Sequence, residues 1–274
     1  MSNDAFGDRM KGYESVETGR RLDTSLPVYA RIDGRSFSKF TRGMQRPFDP
    51  RMTSAMQAAT RHLVKATDAR LGYTQSDEIS LIWEVDTVNP SAQMFFDGKV
   101  QKLCSVLAGL ATAAFTQAVM ASDPEFAAYA ERLPHFDARV FNLPSRDEGA
   151  NAFLWRELDA TRNAVSMTAY ANFSAKSLHG VSVFGMRERL AEAGVDFEAY
   201  PRPFRRGTYY RRKTVERAMT PDELARIPER HRPAADTLVM RTEIAEVDMP
   251  PFATVVNRVA VVFDGAEPAS RLAA

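Results

Sequence analysis

"VYARIDGRSFSKF", residues 28–40, begins as an apolar strand and ends on an acid, a glycine, an arginine and a serine. An Asp-Gly pair after a strand suits a tight turn. It equally suits a carboxylate aimed from a strand end at a metal ion or a phosphate. The two readings separate on one point: a metal site needs a second acid on a neighbouring strand, whereas a turn needs nothing else.

Working outward, "PRMTSAMQAATRHLVKATDARL" from Pro50 has the apolar period of an amphipathic helix, with Asp49 as N-cap and Pro50 at the first position. "GYTQS" and "ISLIWEV" read as short strands with "SDE", residues 76–78, at the turn between them. "SAQMFFDGKVQKLCSVLAGLATAAFTQAVM", residues 91–120, reads as a long helix that Gly98 could bend, and "FDARVFNL", residues 136–143, as a further strand. The order is β-α-β-β-α-β, the split βαβ or ferredoxin-like arrangement of the α+β class. Residues 1–143 form the expected catalytic unit. Residues 144–274 form a helical and basic C-terminal region packed on it, ending in a β extension over "TLVMRTEIAEVDMPPFATVVNRVAVVF", two strands split by Pro250 and Pro251.

Composition narrows the function classes. The 274 residues are 45% hydrophobic, enough to bury a full core. With 36 basic against 35 acidic residues, a nucleic-acid surface has to come from local clustering. The single cysteine, Cys104, rules out a disulfide framework or a cysteine zinc site. Four dispersed histidines make no metal motif, and no P-loop, Rossmann fingerprint or nucleophile elbow is present. No basic, apolar leader precedes Asp4 and Asp8, and the apolar run from Leu103 carries Thr, Ser and Gln, so it reads as a buried helix. The expectation is a cytoplasmic chain that does not enter a membrane.

In the ferredoxin-like order the third strand lies between the first and second. Asp33 then lies beside the turn carrying Asp77 and Glu78, and these are the candidate catalytic acids. Two carboxylates from neighbouring strand ends are able to hold two Mg²⁺ ions about 3.5–4 Å apart for phosphoryl transfer, with Asp33 and Asp77 as ligands. Gly34 lets backbone approach an ion or a phosphate, and Ser36 with its neighbouring amides could form an anion nest. Lys99 and Lys102, three apart on a helix, could reach phosphate oxygens or form a solvated face. "PRPFRRGTYYRRK", residues 201–213, interleaves Arg205, Arg206, Arg211 and Arg212 with Phe204, Tyr209 and Tyr210, a pattern for RNA phosphate contact with base stacking, or for a charged edge strand.

The chain resembles the tRNA-His guanylyltransferase superfamily, template-dependent polymerases that extend RNA in the 3′-to-5′ direction. "RIDGRSFSKF", "YTQSDEISLIW", "FDARVFNLPS", "FLWRELDATRN" and "FRRGT" are similar, in order, to five blocks of that family between about Leu26 and Thr208. The resemblance implies a polymerase-type palm in which Asp33, the Gly34 carbonyl and Asp77 bind two Mg²⁺. It implies nucleotide contacts from Asp33, Gly34, Arg35, Ser36, Phe37, Ser38, Ser76 and Asp77, from Arg46 and Asp49 beside a purine, and from Lys99 and Lys102 on the triphosphate. RNA contacts would come from Asn163 and the arginines of residues 205–212. GTP and ATP would be substrates, tRNA the acceptor, and the assembly a homo-oligomer, tetrameric in the family. The family's guanylyltransferases proper carry a His-x-Asn-Asn segment where this chain has Thr161, Arg162, Asn163 and Ala164, and Ser38 stands where many members have histidine. Repair of tRNA 5′ ends therefore stands beside addition of a single G to tRNA-His. A palm-type nucleotidyl cyclase and a non-catalytic RNA-binding protein are the rival readings.

Overall fold

The computed structural model describes residues 4–85, 93–234 and 236–271. Its centre has the expected order: β1 (Val28–Gly34), α1 (Pro50–Thr67), β2 (Leu71–Gln75), β3 (Glu78–Trp83), α2 (Val100–Met120) and β4 (Phe136–Asn142). Two later strands, β5 (Thr208–Ala218) and β6 (Leu238–Val247), join the same sheet, giving the order β4-β1-β3-β2-β5-β6 with antiparallel pairing throughout. The register places Asp33 opposite Glu78 on β3 and opposite Asp137 on β4.

Both faces of the sheet are covered at its centre, around β1, β2 and β3, which is why β1 reads as a nearly unbroken apolar run. On one face, Val28, Ala30, Ile32, Ile79 and Leu81 pack against α1 and α2. The α1 N-cap is Asp49, whose side chain accepts from the Arg51 amide, and Pro50 occupies the first turn. Leu103, Leu107, Ala111, Phe115 and Val119, spaced by four, form the buried stripe of α2. That helix is long and apolar enough to cross a membrane, and here it packs on α1 and β4.

On the other face, Tyr29, Leu71, Tyr73 and Ile82 meet Ala150, Phe153 and Ala160 of the 27-residue helix α3 (Arg146–Asn172). The far half of α3 packs with α4 (Val183–Glu192) and Phe204 in a separate cluster.

Three expectations are corrected. Helix α2 begins at Val100, not 91: Phe96, Asp97 and Gly98 all take positive φ, so no helix continues through them; Ser91 and Ala92 lie outside the described residues. The C-terminal segment gives one strand, β6, and then a short helix, Arg258–Phe263, whose Val261, Val262 and Phe263 bury in the cluster with α3. Packing there overrides the β-propensity of "VAVVF". The basic run is not an edge strand, because β5 lies between β2 and β6.

Candidate active site

Asp33 ends β1, and the two-residue turn Ser76-Asp77 joins β2 to β3 beside it. The Gly34 amide donates to the Asp77 carbonyl at 3.0 Å and the Arg35 amide to the His135 carbonyl at 2.9 Å, so neighbouring strands hold the chain as it leaves β1. Ser36, at φ 57°, then starts a one-turn helix, Phe37–Phe40. Arg35, Ser36 and Ser38 are exposed at this mouth. Phe37 points inward and packs its ring on Phe40, Phe115 and Phe136 at 5.0–5.5 Å, so only its backbone faces the site.

Gly34 is required by close approach. A Cβ there would lie 2.4 Å from the Phe37 ring, which its aromatic neighbours prevent from moving aside. Gly34→Ala is expected to cost about 1–3 kcal/mol from overpacking and to lower the transfer rate by about a hundredfold by displacing residues 35–38. Thermal unfolding together with single-turnover rates checks both; an unchanged rate would overturn the positioning argument.

The carboxylates have different surroundings. Burial, and then the neighbouring Asp33 carboxylate, push the Asp77 carboxyl up, and its hydrogen bond from Ser76 Oγ (3.1 Å) only partly offsets this. Among the described residues neither Asp33 nor Asp77 is in an ion pair. Glu78, the third candidate acid, is gripped by Arg156 through Nε at 2.5 Å and Nη2 at 2.9 Å, and Arg156 also bonds Asp159 at 3.0 Å. Glu78 thus differs from the other two acids in having its charge balanced by a bidentate arginine.

Two carboxylates at adjoining strand ends, in no ion pair among the described residues and one of them raised by burial and then by the other, suit a divalent cation with oxygen ligands. No group of three or more His, Cys, Asp or Glu side chains placed to hold a metal occurs among the described residues. A metal at this site would therefore rest on Asp33, Asp77 and backbone, with water or phosphate oxygens completing the shell, the sparse protein ligation that Mg²⁺ accepts.

A cleft of about 510 Å³ opens on the Asp77 side. It brings together the expected residues Phe37, Ser38, Arg46, Asp49, Ser76, Asp77 and Asn163. Asp49 forms wall rather than reading head: its carboxylate accepts from Arg51 Nη2 (2.8 Å), the Arg51 amide (2.9 Å) and the Gln45 amide (3.3 Å). Asn163 belongs to this cleft, not to a separate RNA surface. Ser166, Met167 and Tyr170 line it too and were not anticipated; their spacing from Asn163 along α3, by three, four and seven, is the signal that marks one helix face.

Several cations lie elsewhere. Lys99 precedes α2 in extended conformation and pairs with Arg21 in an isolated bridge. The level of α2 beside the site is Thr112, whose hydroxyl accepts from the Phe136 amide, so Lys102 is ten residues or about 15 Å further along the axis. Lys99 and Lys102 therefore neither share a helix face nor reach the acids. Arg211 donates to the Ala266 carbonyl (2.7 Å) and Glu267 (2.6 Å), and Arg212 pairs with Asp68, at the end of the sheet remote from Asp77. Arg205 is engaged by Glu198 and the Tyr200 carbonyl, while Arg206 stands 3.8 Å from the buried Glu157. Phe204, Tyr209 and Tyr210 are buried, so this run is no stacking platform.

Paired acids at the strand ends of a palm-type sheet, beside a cleft of nucleotide size, define an enzyme of the nucleotidyltransferase class. The chain belongs to the tRNAHis guanylyltransferase family, whose model matches residues 7–144. It is 31% identical to an uncharacterised protein of Acanthamoeba polyphaga mimivirus over 62% of its own length and 64% of the relative's, and 27% identical to the tRNA(His) guanylyltransferase of Schizosaccharomyces pombe over 74% and 81%. Among solved structures, a bacterial tRNA(His) guanylyltransferase-like protein in complex with ATP superposes with a TM-score of 0.69 at 35% identity, covering 75% of this chain and 87% of that one. Another in complex with GTP has a TM-score of 0.69 at 28% identity, covering 91% and 94%.

Proposed function

We propose that this chain adds nucleotides to the 5′ end of a tRNA in the 3′-to-5′ direction, using ATP or GTP to activate the 5′-phosphate and Mg²⁺ to carry the charge. The observation that carries the reading is the pair Asp33 and Asp77 at adjoining strand ends, in no ion pair among the described residues, with Asp77 lining a nucleotide-sized cleft. In the first step a 5′-phosphate oxygen attacks the α-phosphorus of the activating triphosphate and pyrophosphate leaves. In the second, the 3′-hydroxyl of the incoming triphosphate loses its proton and attacks the activated 5′-phosphorus, and the nucleoside monophosphate leaves. Two bound Mg²⁺ ions would favour the ionised hydroxyl and offset charge on the departing oxygen. The protein's own contribution is placement: the 36–38 amides and Ser38 hold phosphate oxygens, while Arg46 and Asn163 line the purine cleft. The expected setting is the cytoplasm, and the expected assembly a homo-oligomer like that of the family the chain resembles.

Incubation with labelled NTP, Mg²⁺ and a 5′-monophosphorylated or 5′-truncated tRNA is expected to give tRNA extended at its 5′ end. Extension across several tRNAs supports 5′-end repair, in keeping with Thr161 in place of the family histidine. No incorporation into any tRNA would overturn the reading, and cyclic nucleotide formed from NTP alone would put a cyclase in its place.

A further inference from the structure

The cleft accounts for one side of the acid pair. On the other side, the sheet face carrying Asp33 is left partly open. Alternation along β1 puts Tyr29, Arg31 and Asp33 on the α3 face, and their partners on β4 are Phe141, Arg139 and Asp137. Helix α3 covers Tyr29 through Phe153 (ring centroids 5.3 Å apart) but leaves β4 bare: Arg139 and Phe141 are exposed. At the border stands Trp155, an indole 48% exposed in a protein whose other tryptophan, Trp83, is buried. Arg31 and Arg156 lie over its ring at 5.7 and 4.4 Å. The Arg31 Nε is buried with no hydrogen-bond acceptor, and the Glu78 carboxylate is 3.9 Å away.

We propose that the ledge formed by Arg31, Arg139, Phe141 and Trp155 is the docking surface for the 5′ end of the RNA, with the terminal base stacked on Trp155 and the 5′-phosphate between Arg31 and Asp33. The inference rests on the transferase reading above and assigns its second substrate a place. A transfer between two substrates needs both reacting groups at the acids, and the Asp77 cleft, at about 510 Å³, is of single-nucleotide size. An RNA end is a flat stacked plane too broad for that cleft, whereas an open ledge with a half-exposed indole accepts it without sequence preference. Two residues along β1 span about 7 Å, so Arg31 is within one nucleotide's reach of Asp33. Its guanidinium supplies the cation that a phosphate beside carboxylates requires.

Having two tryptophans, one exposed and one buried, makes the test direct. A 5′-monophosphorylated tRNA is expected to shield Trp155 from acrylamide and quench its emission, a response lost in W155F, in which Trp83 continues to report the folded core. W155A is expected to raise the KM for tRNA about ten- to a hundredfold, the range a lost base stack produces, with the KM for NTP unchanged. W155F, keeping an aromatic face, is expected to bring that KM back to within a few-fold of the original. Binding of tRNA with no change at Trp155, or an unchanged tRNA KM in W155A, would overturn the ledge while leaving the transferase reading intact. Shielding of Trp155 with no incorporation of nucleotide would support the ledge and sink the transferase reading instead.

Discussion

Asp77→Asn is expected to lower nucleotide transfer at least about a thousandfold and, at the same time, to raise the melting temperature at neutral pH. The loss follows from removing one of two carboxylates in a site where charge stabilisation contributes several kcal/mol, at about 1.4 kcal/mol per tenfold in rate. The gain follows from the proton balance. Burial and the Asp33 carboxylate raise the Asp77 carboxyl in the folded protein, so the native state holds that proton to higher pH than the unfolded chain does. Between the two pKa values the native state binds more protons, stability falls as pH rises, and the ionised carboxylate is a standing cost above that window. Asparagine keeps the fold's shape and removes the cost. The stability gap over the parent should close below about pH 4, where the carboxyl is protonated in both states. Mg²⁺ should raise the melting temperature of the parent and leave the variant's unchanged, because a ligand stabilises only the state that binds it. Melting curves across pH, with and without Mg²⁺, check this; a variant no more stable than the parent at neutral pH would overturn the electrostatic account of the site.

Arg156→Ala is expected to be the more damaging change for the fold. Its guanidinium bridges Glu78 and Asp159, with the Arg156 side chain 9% and the Glu78 side chain 16% exposed. Removing one partner of a buried pair costs about 3–5 kcal/mol, mostly the penalty of the charge left behind. Glu78 would then carry an uncompensated charge directly across the ladder from Asp33, where like charges repel. If so, Glu78→Gln should recover much of the loss in the double variant, and a double-mutant cycle should show strong coupling. Additive effects would show that the pair is not a unit. Transfer should fall in Arg156→Ala as well, since the strand end that positions Asp33 loses its fixed neighbour.

The central fold was legible because each element carried its own local signal. Asp49-Pro50 marked the start of α1, the apolar run from Leu103 marked α2, and the short apolar runs on either side of "SDE" marked β2 and β3. Asp33 and Asp77 were legible for a related reason: one pairing rule, with β3 between β1 and β2, brings two acids to one strand end. The cations were not legible in this way. A basic residue in sequence is a charge without an address, and Glu198, Glu267 and Asp68, remote in the chain from most of the arginines they engage, decide whether it is free. The interleaved aromatics of residues 204–210 misled for a similar reason. Their alternation is that of a strand, but the first residues of β5 are covered on both faces, so Tyr209 and Tyr210 are core on opposite sides of the sheet.

The sequence by itself determined the order of elements, the place of β3 between β1 and β2, and the two acids that this order brings together. The tertiary structure alone decided which charges remain available around them. Arg156 reaches Glu78 across 78 positions of chain, Lys102 is carried away from the acids by the axis of its own helix, and Trp155 is left uncovered where α3 stops short of β4. Local propensities act over a few residues, whereas the availability of a charge or a ring depends on what the whole chain packs beside it.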